Sequence, residues 1–168
     1  HSGCKKPLIV DLDPAQQFRA RTDRGAIGMK TGHCLCGGVS FEYDGATLFA
    51  GHCHCDSCRR QTASPFTTFV GVPNGTWRWT GDAPKVFESS PGQNRYFCRT
   101  CGAPVAYSSA RWPEEIHFYA ALLDDPETFE PKEHYHWEER LHWAAPSDDL
   151  PKHTGTIQAL GGEGDNQN

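Results

Sequence analysis

The chain has 168 residues, a formal net charge of −5 and an isoelectric point near 6.0. The length fits one domain with its own core, and the acidic balance excludes a general electrostatic attraction to nucleic acid or to an anionic membrane. Apolar residues make up 37%, with 17 Gly and 12 Pro along the chain, which favours many short strands and turns. Since no apolar run has the length of a signal peptide or a membrane span, we expect a cytoplasmic protein.

The first 28 residues differ from the rest of the chain. They begin His1-Ser2-Gly3 and contain no cysteine pair or strand alternation, whereas Met29, the only methionine, lies four residues before His33. We expect residues 1–28 to be a vector-derived or disordered leader. Residues 29–155 should form the folded domain, and residues 156–168, which are polar and rich in glycine near their end, should be a flexible tail.

Within the expected domain the residue pattern predicts mainly strands. Apolar and polar residues alternate in three segments, which predicts half-buried strands at 39–43, 77–79 and 115–122. Further strands are expected at 67–72, 85–89 and 134–137, with turns at 73–75 and 81–84. One short helix of about two turns should run through residues 56–61, with Asp56 or Ser57 capping its first amides.

Seven of the eight cysteines fall into three short groups: Cys34-Leu35-Cys36, Cys53-His54-Cys55-Asp56-Ser57-Cys58 and Cys98-Arg99-Thr100-Cys101. Such spacing is typical of metal-binding turns, in which backbone N–H groups face the paired sulfurs. A disulfide framework is the alternative for an even cysteine count, but the members of a C-x-C pair are poorly placed to bond each other. A thioredoxin-type redox pair would need a βαβ context, which the pattern lacks. Cys4 stands apart, in the expected leader.

The cysteine groups divide into a site that can be closed and a site that stays open. Two pairs flank predicted strands and can share one tetrahedral zinc ion that ties the early and late parts of the sheet together: Cys34, Cys36, Cys98 and Cys101. The other group supplies three ligands from one turn and leaves a fourth position open, as catalytic zinc sites do: Cys53, Cys55 and Cys58. Alternatively, a histidine closes this second site and makes it structural, with six candidates: His52, His54, His117, His134, His136 and His142.

The cysteine groups and their neighbours resemble the signature blocks of the glutathione-dependent formaldehyde-activating enzyme family, whose domain also occurs in centromere protein V. The matching blocks are residues 32–37, 53–60 and 95–102, and segments between 123 and 151 extend the resemblance to the end of the domain. The resemblance implies an all-β fold, a tent-like arrangement of small antiparallel sheets with few short helices. It also implies two zinc ions per chain, a structural ion at Cys34, Cys36, Cys98 and Cys101 and a catalytic ion at Cys53, Cys55 and Cys58.

The resemblance further implies a carbon–sulfur lyase that forms or cleaves a thiol–aldehyde adduct such as S-hydroxymethylglutathione, with glutathione and a small aldehyde as partners. Arg59 and Arg60 lie just beyond the open site and are candidate contacts for a glutathione carboxylate, or else part of a solvated helix face. Arg95 is expected to brace thiolates or a carboxylate, and no general base is apparent. A non-enzymatic zinc module that binds a protein or a thiol carrier is the alternative function.

Overall fold

The computed structural model describes residues 28–156. Residues 1–27 and 157–168, which include Cys4 and nearly all of the expected leader and tail, lie outside the described residues. Within residues 28–156 the chain forms ten strands: β1 (Lys30–His33), β2 (Ser40–Tyr43), β3 (Phe49–Cys53), β4 (Thr67–Pro73), β5 (Trp77–Trp79), β6 (Lys85–Ser90), β7 (Gln93–Phe97), β8 (Pro104–Ser109), β9 (Glu115–Tyr119) and β10 (Glu133–Tyr135). The α-helix α1 spans Asp56–Thr62, and 3₁₀ turns cover Ala120–Leu122, Pro126–Thr128, Trp137–Glu139 and His142–Ala144.

The strands form two sheets, which confirms the all-β fold class. The larger sheet has the order β10-β3-β4-β9-β8-β7-β6, and the smaller has the order β1-β2-β5. Neighbouring strands are antiparallel except β10, which pairs with β3 in parallel. This departs from the antiparallel sheets expected, because the connection that precedes β10 is long enough to return the chain in the same direction as β3. No helix within residues 28–156 is long and apolar enough to cross a membrane.

The apolar positions of the predicted strands meet between the two sheets. Phe41 of β2 stacks on Phe118 of β9 with ring centroids 4.0 Å apart and planes inclined by 6°. Trp77 and Trp79 of β5 meet the same Phe118 ring edge-on at 5.4 Å and 5.6 Å. Strand β9 therefore lies at the centre of the core, and the alternating pattern in β2, β5 and β9 correctly identified the side chains that build it.

Strand β9 is buried on both faces, so the half-buried strand expected at 115–122 is wrong for this segment. All five residues of Glu115–Tyr119 are buried, because β9 lies between β4 and β8 in the larger sheet. Ile116 and Phe118 belong to the core between the sheets. Glu115 and His117 point to the opposite face of the sheet, where they line a cavity. The polar residues of this strand are thus interior residues.

The predicted helix exists, but its cap differs from the expectation. Cys55, rather than Asp56 or Ser57, is the N-cap, and its sulfur accepts a hydrogen bond from the Cys58 backbone N–H at 3.4 Å. The carboxylate of Asp56 instead binds the Arg60 side chain at 2.7 Å. The cysteine turn itself therefore starts the helix, because the Cys55 sulfur already occupies the position that a capping oxygen would take.

Candidate metal centres and the adjoining cavity

The first cysteine group is assembled from two turns that belong to different sheets. The turn between β1 and β2 and the turn between β7 and β8 bring four sulfurs within 4.8 Å of one another: Cys34, Cys36, Cys98 and Cys101. Since β2 lies in the smaller sheet and β7 in the larger, a metal ion held here would join the two sheets. This connection extends the sequence-based expectation, which placed both pairs in one sheet.

Backbone N–H groups face the sulfurs of this first group, as expected for metal-binding turns. The Val39 N–H lies 3.3 Å from the Cys34 sulfur, and the Thr100 N–H lies 3.4 Å from the Cys98 sulfur. Hydrogen bonding from the backbone of Cys101, together with that of Thr100, lowers the pKa of Cys98 to about 6. The turn therefore favours the thiolate form, which is the form that binds metal.

The second cysteine group is formed by the end of β3 and the start of α1. The sulfurs of Cys53, Cys55 and Cys58 lie within 4.8 Å of one another, and the group contains no histidine nitrogen among the described residues. Hydrogen bonds from the thiols of Cys53 and Cys58 lower the pKa of Cys55 to about 2. The group thus concentrates negative charge on one sulfur, and each of the two cysteine groups could hold a metal ion.

A cavity of about 370 Å³ adjoins the second cysteine group, and all three of its cysteines line it. The floor of the cavity is the face of the larger sheet that is turned away from the core. Cross-strand pairing places His117 opposite Tyr107, and Tyr107 opposite Arg95, in one row across β9, β8 and β7. Arg95 and His117 therefore reach the same cavity from strands that are distant in the sequence.

Gly71 shapes one wall of this cavity. It lies opposite both Phe49 and His117 in the sheet, and a Cβ atom at this position would overlap the Phe49 ring. The missing side chain lets the Phe49 ring lie across β4 and meet the His117 ring edge-on, with centroids 4.6 Å apart. A glycine in the middle of a strand therefore has a packing reason here.

Arg95 is a buried cation between the cavity and the second cysteine group. One of its terminal nitrogens donates to Gln61 Oε1 at 2.7 Å and lies 4.0 Å from the Cys58 sulfur. Its Nε donates to Ser89 Oγ at 3.1 Å. The sequence suggested that Arg95 braces thiolates, and the structure shows that the cysteine sulfur in reach is that of Cys58 rather than those of the adjacent turn. Its positive charge offsets the charge of the cysteines.

A chain of hydrogen bonds that runs from the interior to the surface holds the turn of the second group in place. His54 Nε2 lies 2.8 Å from His134 Nδ1, and His134 Nε2 lies 3.0 Å from a carboxylate oxygen of Asp148. Burial, with the nearby His134 ring second, lowers the pKa of His54 to about 4. The neutral ring of His54 therefore links the residue between two cysteines to a segment 80 residues later.

The other histidines proposed as a fourth ligand have partners elsewhere. His52 Nδ1 bonds Thr68 Oγ1 at 2.8 Å, and His117 Nε2 lies 2.9 Å from Glu115 Oε1. His136 lines the cavity, and its Nε2 bonds the Thr156 hydroxyl at 2.8 Å. His142 lies in the last 3₁₀ turn and does not line the cavity. None of these histidines joins the three sulfurs of the second group.

The two candidate glutathione contacts on α1 do not line the cavity. Arg59 donates through Nε to the backbone oxygen of His54 at 3.1 Å. The side chain of Arg60 is 79% exposed and binds Asp56. Sequence reasoning missed the pair formed by Glu115 and His117. The available signal was their alternation with the apolar residues Ile116 and Phe118, which puts both polar side chains on one face of β9.

Comparison with known proteins identifies a family whose sequence model matches this chain. Residues 29–139 match the sequence model of the family described as glutathione-dependent formaldehyde-activating enzyme. A search of curated proteins gives no match. Among solved structures, the chain is similar to the crystal structure of a Rhodobacter sphaeroides protein, with 25% sequence identity and a TM-score of 0.48, over 56% of this chain and 87% of that one.

Proposed function

The chain belongs to the glutathione-dependent formaldehyde-activating enzyme family, and on that premise we propose that it is a zinc-dependent carbon–sulfur lyase that joins a thiol to a small aldehyde or reverses that step. Glutathione and formaldehyde, with S-hydroxymethylglutathione as the adduct, are the substrates we propose. The observation that carries the proposal is a group of three cysteine sulfurs, without a histidine among the described residues, that lines a cavity large enough for a small ligand.

The donor sets of both cysteine groups fit zinc. Each consists of sulfur alone within 4.8 Å, and clustered thiolates are ligands that zinc accepts in a tetrahedral arrangement. We infer a structural ion at Cys34, Cys36, Cys98 and Cys101 and a catalytic ion at Cys53, Cys55 and Cys58. Zinc bound at the three-cysteine group would supply a lowered thiol pKa and a polarised carbonyl.

The residues of the cavity would assist the addition of a thiol to an aldehyde. In that reaction a sulfur–carbon bond forms as the carbonyl π bond breaks, and the thiol proton is transferred to the carbonyl oxygen. The guanidinium of Arg95, 4.0 Å from the Cys58 sulfur, offsets negative charge at this end of the cavity. The rings of Phe49 and Phe69 line the wall and give this part of the cavity an apolar surface.

The alternative function, a non-enzymatic zinc module, is less well supported. Such a module would be expected to have its second site closed by histidine, whereas the histidines among the described residues lie outside the group of three sulfurs. We retain two sequence-based proposals alongside the enzymatic function. One is a contact of Arg59 or Arg60 with a carboxylate of the thiol, and the other is a cytoplasmic location, where cysteine thiols stay reduced.

Zinc content and catalysed exchange together test the proposal. We expect about two zinc ions per chain by elemental analysis, and about one after Cys55→Ser. Exchange NMR with ¹³C-labelled formaldehyde and glutathione should show faster interconversion of free aldehyde and adduct with the wild-type protein than without it, and no acceleration with Cys55→Ser. Cys4→Ser, which removes a thiol outside the two groups, is the matched control. A single ion that Cys55→Ser retains would refute the proposed site.

A further inference from the structure

The charged side chains of the cavity are few and lie apart. Among the described residues that line the cavity, Arg95 is the one arginine or lysine and Glu115 is the one carboxylate. From strand spacing and rise, their Cα atoms are roughly 12 Å apart, two strands across and two residues along the sheet. Because Arg95 reaches Cys58, the positive charge lies near the cysteine group and the negative charge lies away from it.

Glu115 is a buried carboxylate whose sequence neighbour Glu114 is exposed, so the two adjacent acids have opposite environments. The Glu115 side chain is 9% exposed, and its Oε1 accepts a hydrogen bond from His117 Nε2 at 2.9 Å. The side chain of His117 is equally buried. Within residues 28–156 no lysine or arginine forms an ion pair with Glu115, so the His117 ring is the group that orients this carboxylate.

A buried carboxylate that receives a hydrogen bond from an imidazole is oriented, and its remaining lone pairs can still accept a hydrogen bond from a cationic group. Burial of a carboxylate charge is unfavourable unless a cation comes close to it. Trp112 and Tyr107 also line the cavity and lie beside His117, with ring centroids 5.8 Å and 5.4 Å from the imidazole. Aromatic faces attract ammonium groups in addition to the carboxylate.

The separation of the Arg95 and Glu115 Cα atoms indicates the size of a suitable ligand. A span of roughly 12 Å corresponds to three to four residues of extended chain. A ligand that places a thiol at the cysteine group and an ammonium group at Glu115 is therefore a thiol of oligopeptide length. Small thiols without an amino group would leave Glu115 without a cation.

We propose that Glu115, oriented by His117, is the subsite that binds the primary ammonium group of an amino-bearing peptide thiol and so selects the substrate. This inference rests on the proposed function, and it assigns the specificity of that reaction to the far end of the same cavity. Glu115 would contact the substrate directly, whereas His117 is a positioning residue that holds the carboxylate.

Calorimetric binding to the zinc-loaded full chain tests this assignment with two ligands. One is glutathione, and the other is its analogue in which a hydrogen replaces the α-ammonium group of the γ-glutamyl residue. The wild-type protein should bind glutathione on the order of 10- to 100-fold more tightly than the analogue, as expected for a buried charged hydrogen bond. Glu115→Gln should weaken glutathione binding by a similar factor and abolish the preference, while Glu114→Gln at the exposed neighbouring position should change neither affinity.

Comparing the two ligands on the wild-type protein tests the assignment even if Glu115→Gln does not fold. Equal affinity of the wild-type protein for both thiols overturns the assignment, as does a preference that persists in folded Glu115→Gln. If the wild-type protein binds neither thiol and accelerates no adduct exchange, the proposed glutathione reaction itself fails. Binding and exchange without a preference for the ammonium group would leave that reaction standing and refute only the subsite.

Discussion

Replacing Arg95 by methionine would remove the cation beside the second cysteine group and keep most of the apolar side chain. The guanidinium nitrogen lies 4.0 Å from the Cys58 sulfur, and at an effective dielectric constant of about 20 a pair of unit charges at this distance interacts by about 4 kcal/mol. Loss of one partner of a buried charge pair typically costs about 3–5 kcal/mol. We therefore expect the affinity of the second site for zinc to fall by about 100- to 5,000-fold.

Competition with a chromophoric chelator measures this loss directly. Arg95→Met should release one zinc ion per chain at a chelator concentration where the wild-type protein retains both, and the four-cysteine group should keep its ion as an internal reference. Arg60→Met is the matched control, because its exposed ion pair with Asp56 contributes only about 0–1 kcal/mol. Equal zinc retention by Arg95→Met and the wild-type protein would refute the idea that this cation stabilises the thiolates.

Three further changes probe other parts of the fold. Cys98→Ser should lower the melting temperature much more than Cys55→Ser, because only the group of Cys98 joins the two sheets; equal losses in scanning calorimetry would contradict this. Gly71→Ala should cost about 1–3 kcal/mol in urea unfolding, because its Cβ overlaps the Phe49 ring; an unchanged midpoint would show that the ring moves freely. Burial lowers the pKa of His54 to about 4, so as the pH falls from about 6.5 to 4 the unfolded state takes up a proton that the folded state does not. From this group alone the unfolding free energy should fall by about 1.4 kcal/mol per pH unit, and His54→Gln should show a correspondingly shallower dependence; parallel curves would argue against it.

The strands and the cysteine groups could be predicted because their signals are local. Alternation identified β2, β5 and the apolar side of β9, and the spacing of the cysteines indicated which sulfurs come together. The two cysteine pairs, at 34–36 and 98–101, were predicted to flank strands, and both lie in turns between strands. Local signals of this kind depend on residues within one or two turns of the chain, which a sequence displays directly.

The contents of the cavity could not be predicted, because they depend on pairing between distant strands. His117 meets Tyr107 only through the β8–β9 register, and Arg95 enters the same row through β7. The burial of Glu115 similarly follows from the position of β9 between two other strands. Alternation marks two faces of a strand, but it does not show that the polar face is covered as well.

The hydrogen bonds from His54 to His134 and from His134 to Asp148 have a consequence for the order of synthesis. The cysteines beside His54 leave the ribosome about 80 residues before His134. The backbone N–H of His54 also bonds the carbonyl of Tyr135 at 3.0 Å, so the turn acquires its final surroundings only when β10 arrives. The second cysteine group is therefore synthesised well before the segment that completes its surroundings.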